Sequence, residues 1–424
     1  MFHWKFAVLV SAAVWSLAYA RADETSAHTA TRVTLDEAVA RAINASASVG
    51  SRQELIAGTE AGVRQSGVGP NPEIKAELEN FAGSGSFRGL NDSELTLGLS
   101  QRIERSGKRD GRVAVAVVER DIATIERDRA RLDVALAARR AYVDAGAATI
   151  LMEIAQTRLE SATQIEAMAV RRVGAARDPI TVKLRAEIQT AQARNEYESA
   201  RLALQTAKKR LGSLWGKPSA SFSVETSALR TLPEAGARPV PDASPDVRVS
   251  EAAARRAASK FELENANARS DFSVGLGVRR FESGRDLAGV VSISVPIAIF
   301  DTNQGNIERA EAERRAADLD VIHTKSELER ETLTLQGDVA TARAEAAVIR
   351  SELLPRAEAA LKAARHGYNA GAFSYLELSE SQRTLNELRT REVGVLRQLQ
   401  YALAGLDRLS GRLIVASSHQ GNQK

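Results

Sequence analysis

The sequence predicts a mainly α-helical chain that carries four membrane-crossing β-strands and is built from two similar halves. Three observations lead there. First, Glu94 to Gly111 reads ELTLGLSQRIERSGKRDG and Leu287 to Gly305 reads LAGVVSISVPIAIFDTNQG. Each is an alternating strand, a break of small or polar residues, and then a long helical run. In the second copy Val291, Ile293, Val295 and Ile297 point one way while Ser292, Ser294 and Pro296 point the other, giving one apolar and one polar face. The copies lie about 194 residues apart, as an internal duplication requires. Second, aromatic residues are 4% of the 424 and prolines number 10, while Ala, Arg, Glu and Leu dominate, a composition typical of long helices. Third, the start resembles an export signal. His3 and Lys5 precede a short apolar run from Phe6 to Leu17, and Ala18-Tyr19-Ala20 has the small-x-small form of a cleavage site, with the cut expected after Ala20 or Ala22.

Residues 1–22 are therefore read as a signal peptide, and 23–218 as the first repeat. Within it, Thr34 is the expected N-cap of a helix reaching about Gln65, with Glu37 completing a capping box. Gly67, Gly69, Pro70 and Pro72 end that helix. A first strand spans about 73–81, where Ile74, Ala76 and Leu78 alternate with Glu73, Lys75, Glu77 and Glu79. A Gly/Ser/Asn-rich tip follows, and the return strand spans about 94–103. Each strand is thus about nine to eleven residues, the length a tilted strand needs to cross a bilayer. A helical hairpin occupies about 107–215. Its first arm has no proline from Gly107 to Val173 and carries one apolar stripe through Val118, Ile125, Leu132, Val143, Ala147 and Ile150. At 1.5 Å per residue that arm is about 100 Å long. GAARDP, 174–179, turns the chain.

Residues 219–245 read as an irregular linker, with Pro233, Pro239, Pro241 and Pro245. The second repeat, 246–416, opens with a helix to about Ala268 and holds strands at about 271–280 and 287–297. Its helical hairpin spans about 305–410, with an expected kink at Pro355 and a turn at Gly371. The tail, 417–424, is polar and expected to be disordered.

Composition also limits function. There are 58 basic and 54 acidic residues, a net charge of +4, interspersed along helix faces, which argues against a nucleic-acid-binding arm. Cysteine is absent, so disulfides, thiol catalysis, Cys-type zinc sites and an acylated N-terminal cysteine are excluded. The five histidines, His3, His28, His323, His366 and His419, show no metal-ligand spacing. No metal site or cofactor is expected, and Gly83-Ser84-Gly85 lacks the Lys-Ser/Thr of a phosphate loop. No nucleophile–base arrangement stands out, so an enzyme is not expected.

Four strands cannot close a barrel, because the smallest closed barrels have about eight. An open edge in hydrocarbon leaves backbone groups unpaired, at several kcal/mol each. Membrane strands here would require oligomerisation. A water-soluble protein with two small hairpins at a sheet edge remains the alternative reading of the same alternation.

The residues resemble a known family. TLDEAVARAI at the start, SVPIAIFDTNQGNIERAEAE at the second strand-to-helix junction, LLPRAEAALKAARHGYNAGAFSYLELSESQRTL across the second hairpin and the LGSLWG helix end are similar to the TolC-like outer membrane factors, and to their heavy-metal-efflux, CzcC-like branch. The resemblance implies a homotrimer with four strands per protomer in one barrel, embedded in outer membrane lipid, above an α-helical tunnel crossing the periplasm. A periplasmic adaptor and an inner-membrane resistance-nodulation-division pump would be its partners. It implies a passive exit duct for cations such as cobalt, zinc, cadmium or nickel; a duct for drugs or secreted protein shares the fold. A periplasmic adaptor is the reading from a different class, with one helical hairpin where two are visible here. The resemblance further implies aperture residues Glu377, Glu380 and Tyr368, and adaptor-contact tips at Ala176, Arg177, Asp178, Gly371, Ala372, Phe373 and Ser374. Phe373 stands where relatives carry an arginine, and Ala176 where a tip glycine is common. Three copies of each glutamate about one axis would attract cations; read without the family, the pair are two solvated helix charges.

Overall fold

The computed structural model describes residues 31–218, 221–232 and 243–412. The expected export signal, the polar tail and the proline-rich core of the linker lie outside them.

A four-stranded antiparallel sheet is assembled from both halves: β2 (Glu73–Glu79), β3 (Glu94–Ile103), β5 (Phe272–Phe281) and β6 (Leu287–Ser294), in the order β2-β3-β5-β6. Register decides its chemistry. Ile74 lies opposite Leu99, Leu97 opposite Val278, and Leu276 opposite Val291, so the apolar rows of all four strands share one face. That face is bare, with Ile74 85% exposed. The opposite face is small and polar. There Gly98 faces Gly277, and a Cβ on Gly277 would sit 2.8 Å from the Leu97 carbonyl oxygen, so the backbones meet too closely for any side chain. Arg279 crosses that face, paired with Glu79 at 2.9 Å and Glu94 at 2.8 Å.

Two strand ends fall short of expectation. β2 stops at Glu79 rather than 81, because Asn80 (φ 55°) and Ala82 (φ 57°) take the left-handed conformation that ends an extended chain. β6 stops at Ser294 rather than 297, since Pro296 has no N–H to continue a ladder.

Below the sheet stand the helices. α3 (Lys108–Gly174) is a single element of 67 residues, and α4 (Ile180–Ser213) returns along it. α6 (Pro245–Asn267) packs between α3 and α7 (Gln304–Val348), while α9 (Tyr375–Leu409) packs on α3, α7 and α8 (Leu354–Ala370). The largest core joins Val143, Ala147 and Ile150 of α3 to Val339, Ala342 and Ala346 of α7 and to Leu396, Leu399 and Leu403 of α9.

The expected single helix over 34–65 is two, α1 (Leu35–Ala45) and α2 (Ala47–Ser66), because Ser46 ends one and caps the next. Its expected capping box is half formed. Thr34 Oγ1 accepts from the Glu37 amide at 3.3 Å, but the Glu37 carboxylate turns to Arg41 instead.

Pro355 disturbs the second hairpin one turn earlier than expected. Ile349–Leu353 forms a π turn, joining α7 to α8. The buried stripe Val339, Ala342, Ala346, Ile349 should continue at Leu353, yet Leu353 is exposed, and the next buried positions are Ala357, Ala364, Gly367 and Tyr368. One extra residue in the wide turn has shifted the stripe by one position.

The linker is not wholly irregular. β1 (Thr31–Val33) pairs in parallel with β4 (Phe222–Val224), followed by the short α5 (Ser227–Arg230). Tyr142 of α3 clasps the pair: its hydroxyl donates to the Val33 carbonyl and accepts from the Glu225 amide, both at 2.9 Å.

Candidate functional site at the hairpin tips

Both hairpins end in the same local structure. At the first tip the Arg177 amide donates to the Arg172 carbonyl at 2.9 Å and the Ala176 amide to Val173 at 3.0 Å; at the second, Ala372 donates to Gly367 at 2.8 Å and Gly371 to Tyr368 at 3.1 Å. These are paired Schellman closures, in which the residue past the helix turns left-handed. Gly371 does so freely at φ 81°, whereas Ala176 does so at φ 53° with a Cβ. Phe373 follows the second closure and its ring packs against Gly367, where a Cβ would meet it at 2.4 Å. The aromatic ring thus fills a place that only glycine leaves open.

The two tips are tied to each other. Tyr368, 1% exposed, donates its hydroxyl to Asp178 Oδ2 at 2.9 Å. Arg172 grips the same carboxylate with two bonds, Nε to Oδ2 at 2.8 Å and Nη2 to Oδ1 at 3.0 Å. Its remaining nitrogen, Nη1, donates to the Tyr368 carbonyl at 2.8 Å, and its guanidinium lies 4.7 Å from the Tyr368 ring centre. The cluster rests on Ile165, Ala169, Ala186, Ala364, Tyr375 and Leu378. Arg172 holds the Asp178 carboxyl below the usual carboxylate range. Burial, followed by the bond to Asp178, pushes the Tyr368 hydroxyl up to about 12.

Glu377 and Glu380 stand apart from this cluster, exposed on the first turns of α9. Glu377 completes a full capping box: Ser374 N and Oγ donate to its carboxylate at 2.7 and 2.9 Å, while its own amide donates to Ser374 Oγ at 3.3 Å. Those bonds, led by the Ser374 amide, lower its pKa. Glu380 pairs with Arg383 at 2.9 Å. Ala372, Phe373, Ser374 and Arg177 are exposed at the turn surfaces. His366 lies in a groove with Lys362, Arg365 and Arg389, where the one carboxylate, Glu358, is already paired with Arg389 at 2.9 Å. Among the described residues no group of three or more His, Asp or Glu is gathered as a metal site would need.

The sequence points to Tyr368 and Asp178 but not to Arg172. An arginine six residues before an aspartate is an ordinary pattern. Only the Schellman closure folds the two onto each other.

The fold is thus an apolar-faced four-stranded sheet with two unpaired edges, standing on helices of up to 67 residues. No described helix is long and apolar enough to cross a membrane. The chain belongs to the family described as outer membrane efflux protein, which matches residues 38–217 and 242–412. It is 31% identical over 395 residues to the cobalt-zinc-cadmium resistance protein CzcC of Cupriavidus metallidurans, covering 90% of each chain. The nickel and cobalt resistance protein CnrC of the same organism is 29% identical over 296 residues, 68% of each. Among solved structures, the outer membrane protein VceC of Vibrio cholerae superposes with a TM-score of 0.73 at 20% identity, over 89% of this chain and 96% of that one. The open-state outer membrane channel MtrE of Neisseria gonorrhoeae gives 0.69 at 18% identity, over 89% and 88%.

Proposed function

We propose that this chain is the exit duct of a heavy-metal efflux system, working as a homotrimer in the outer membrane and reaching into the periplasm. One observation carries the membrane part: the sheet has an exposed apolar face and two unpaired edges, β2 and β6. In hydrocarbon each unpaired backbone group costs several kcal/mol, so the edges must meet. Three copies of a four-stranded sheet supply twelve strands, enough for a closed wall. The similarity to CzcC across 90% of both chains supports divalent metal cations as cargo.

In this reading the tips face the inner membrane. Ala176, Arg177, Asp178, Gly371, Ala372, Phe373 and Ser374 meet a periplasmic adaptor, which couples the duct to a proton-driven resistance-nodulation-division pump. Glu377 and Glu380 line the aperture, and the Ser374 bonds that lower the Glu377 pKa favour its charged form. Deleting the gene and plating on cobalt, zinc, cadmium and nickel tests the cargo. Sensitivity restored by the intact gene supports it, and sensitivity only to organic drugs points to the drug-duct alternative. Replacing both glutamates by Gln tests the aperture. The ratio of cation to anion conductance in planar bilayers should fall, and an unchanged ratio removes these residues from the aperture.

A further inference from the structure

Two hollows beside α9 differ in how their charge is balanced. In the one of about 450 Å³ between α3 and α9, every arginine stands beside a carboxylate: Arg158 with Glu196, Arg383 with Glu380 at 2.9 Å, and Arg391 with Glu345 at 2.6 Å. The groove of about 470 Å³ between α8 and α9 is not balanced. Lys362, Arg365 and Arg389 line it together with a single carboxylate, Glu358, which Arg389 holds at 2.9 Å. Among the described residues neither Lys362 nor Arg365 has an ion-pair partner. Arg365 Nε is shut from solvent and makes no hydrogen bond, so no group of the chain holds this guanidinium. Lys362, Arg365, His366 and Asn369 recur at the spacing of one helix face, over two turns and about 10 Å of α8. Leu361 and Leu385 supply the apolar part of the lining.

We infer that this groove binds a small organic dicarboxylate. Three permanent cations against one carboxylate leave an excess of two positive charges before His366 is counted, and a dianion balances that excess. The planar fork of an arginine matches a carboxylate with two parallel bonds. The cations are spread along two turns of α8 and across to α9, so two separated carboxylates reach more of them than one phosphate does. The apolar lining takes the hydrocarbon between the carboxylates, and the volume is that of a small-ligand pocket, roughly 300–1,000 Å³. The groove is made by two helices of one chain, so the inference stands apart from the barrel and its cargo. It reaches Asn369, next in the chain to Tyr368, and a bound dicarboxylate therefore cancels the positive excess beside the Tyr368–Asp178 bond.

The test follows the fluorine resonance of 5-fluoroisophthalate by NMR as the full-length protein is added, in non-ionic detergent near neutral pH. Saturable broadening is expected. Arg365→Gln and Lys362→Gln should each weaken binding about tenfold, the loss of one charged contact. Glu358→Gln frees Arg389 and should tighten binding, while Arg383→Gln, in the balanced hollow, should change nothing. The monoanion 3-fluorobenzoate should bind about tenfold more weakly than the dianion. Equal binding of the two probes, or displacement by inorganic phosphate at the probe's own concentration, makes the groove a plain anion site and overturns the assignment. Binding that survives Arg365→Gln and Lys362→Gln together places the probe elsewhere and overturns it too, as does the absence of broadening. Should those variants fail to assemble, Glu358→Gln decides alone, since equal or weaker binding in it contradicts the inference.

Discussion

The Tyr368 hydroxyl reaches across from the second hairpin tip to donate to Asp178 of the first, at 2.9 Å. The two residues are 190 positions apart in sequence, and this bond, with the Arg172 contacts, holds the turns together. The two tips of the chain therefore form a single polar knot set on an apolar bed, rather than two independent loops.

Tyr368→Phe keeps the ring against Arg172 and Tyr375 and removes one buried hydrogen bond to a charged acceptor. The expected loss is about 1.5–3 kcal/mol of local stability. Amide hydrogen exchange at 171–180 and 367–374 should quicken together in the variant, while exchange in the α3–α7–α9 core stays unchanged.

Arg172→Lys retains the charge and loses the two-pronged grip. Lysine cannot satisfy both carboxylate oxygens and the Tyr368 carbonyl at once. Exchange at both tips should rise nearly as far as in Arg172→Ala. If lysine restored wild-type protection, charge rather than fork geometry would be the cause.

The knot should respond to pH only at the extremes. The Asp178 pKa is depressed in the folded chain, so its contribution is present above the unfolded value, about 4, and fades as pH falls through the lower folded value. Tyr368 is raised to about 12, so its contribution is complete below the unfolded value near 10 and is lost as pH rises through about 12. Tip exchange, corrected for its intrinsic pH dependence, should be flat between about pH 5 and 9. A step inside that window would point to another titrating group.

Ala176→Gly places glycine at a left-handed position now held by a residue with a Cβ. Relief of about 1 kcal/mol is expected at the first tip, and Gly371→Ala should cost about as much at the second. Limited proteolysis at the two turns reads both. Opposite shifts are expected, and parallel shifts would contradict the shared closure.

Much of this was legible in the sequence because the deciding patterns are local. The alternation of Leu95, Leu97 and Leu99 gives a strand wherever it folds, and a proline-free stripe from Val118 to Ile150 gives a helix. What escaped was non-local or depended on one backbone angle. β1 and β4 are three residues each, too short to show periodicity, and they pair across about 190 residues of sequence where Tyr142 bonds Val33 and Glu225. The capping box assigned to Thr34 and Glu37 closes at Ser374 and Glu377 instead, since Arg41 is within reach of Glu37 one turn on. The π turn could not be placed from Pro355 alone, because the proline specifies a disturbed hydrogen bond and not which upstream turn widens.

A shared barrel requires that the free edges β2 and β6 close on each other between copies. Single cysteines placed along β2 at Ile74, Ala76 and Leu78, each combined with one at Val291 or Ile293 of β6, test it by oxidation of the detergent-extracted protein. The expected result is covalent species up to three chains and no further, from at least one pair of positions in register. Bonds formed only within single chains, or no bond from any pair with the protein monomeric in detergent, would contradict the shared barrel and with it the duct.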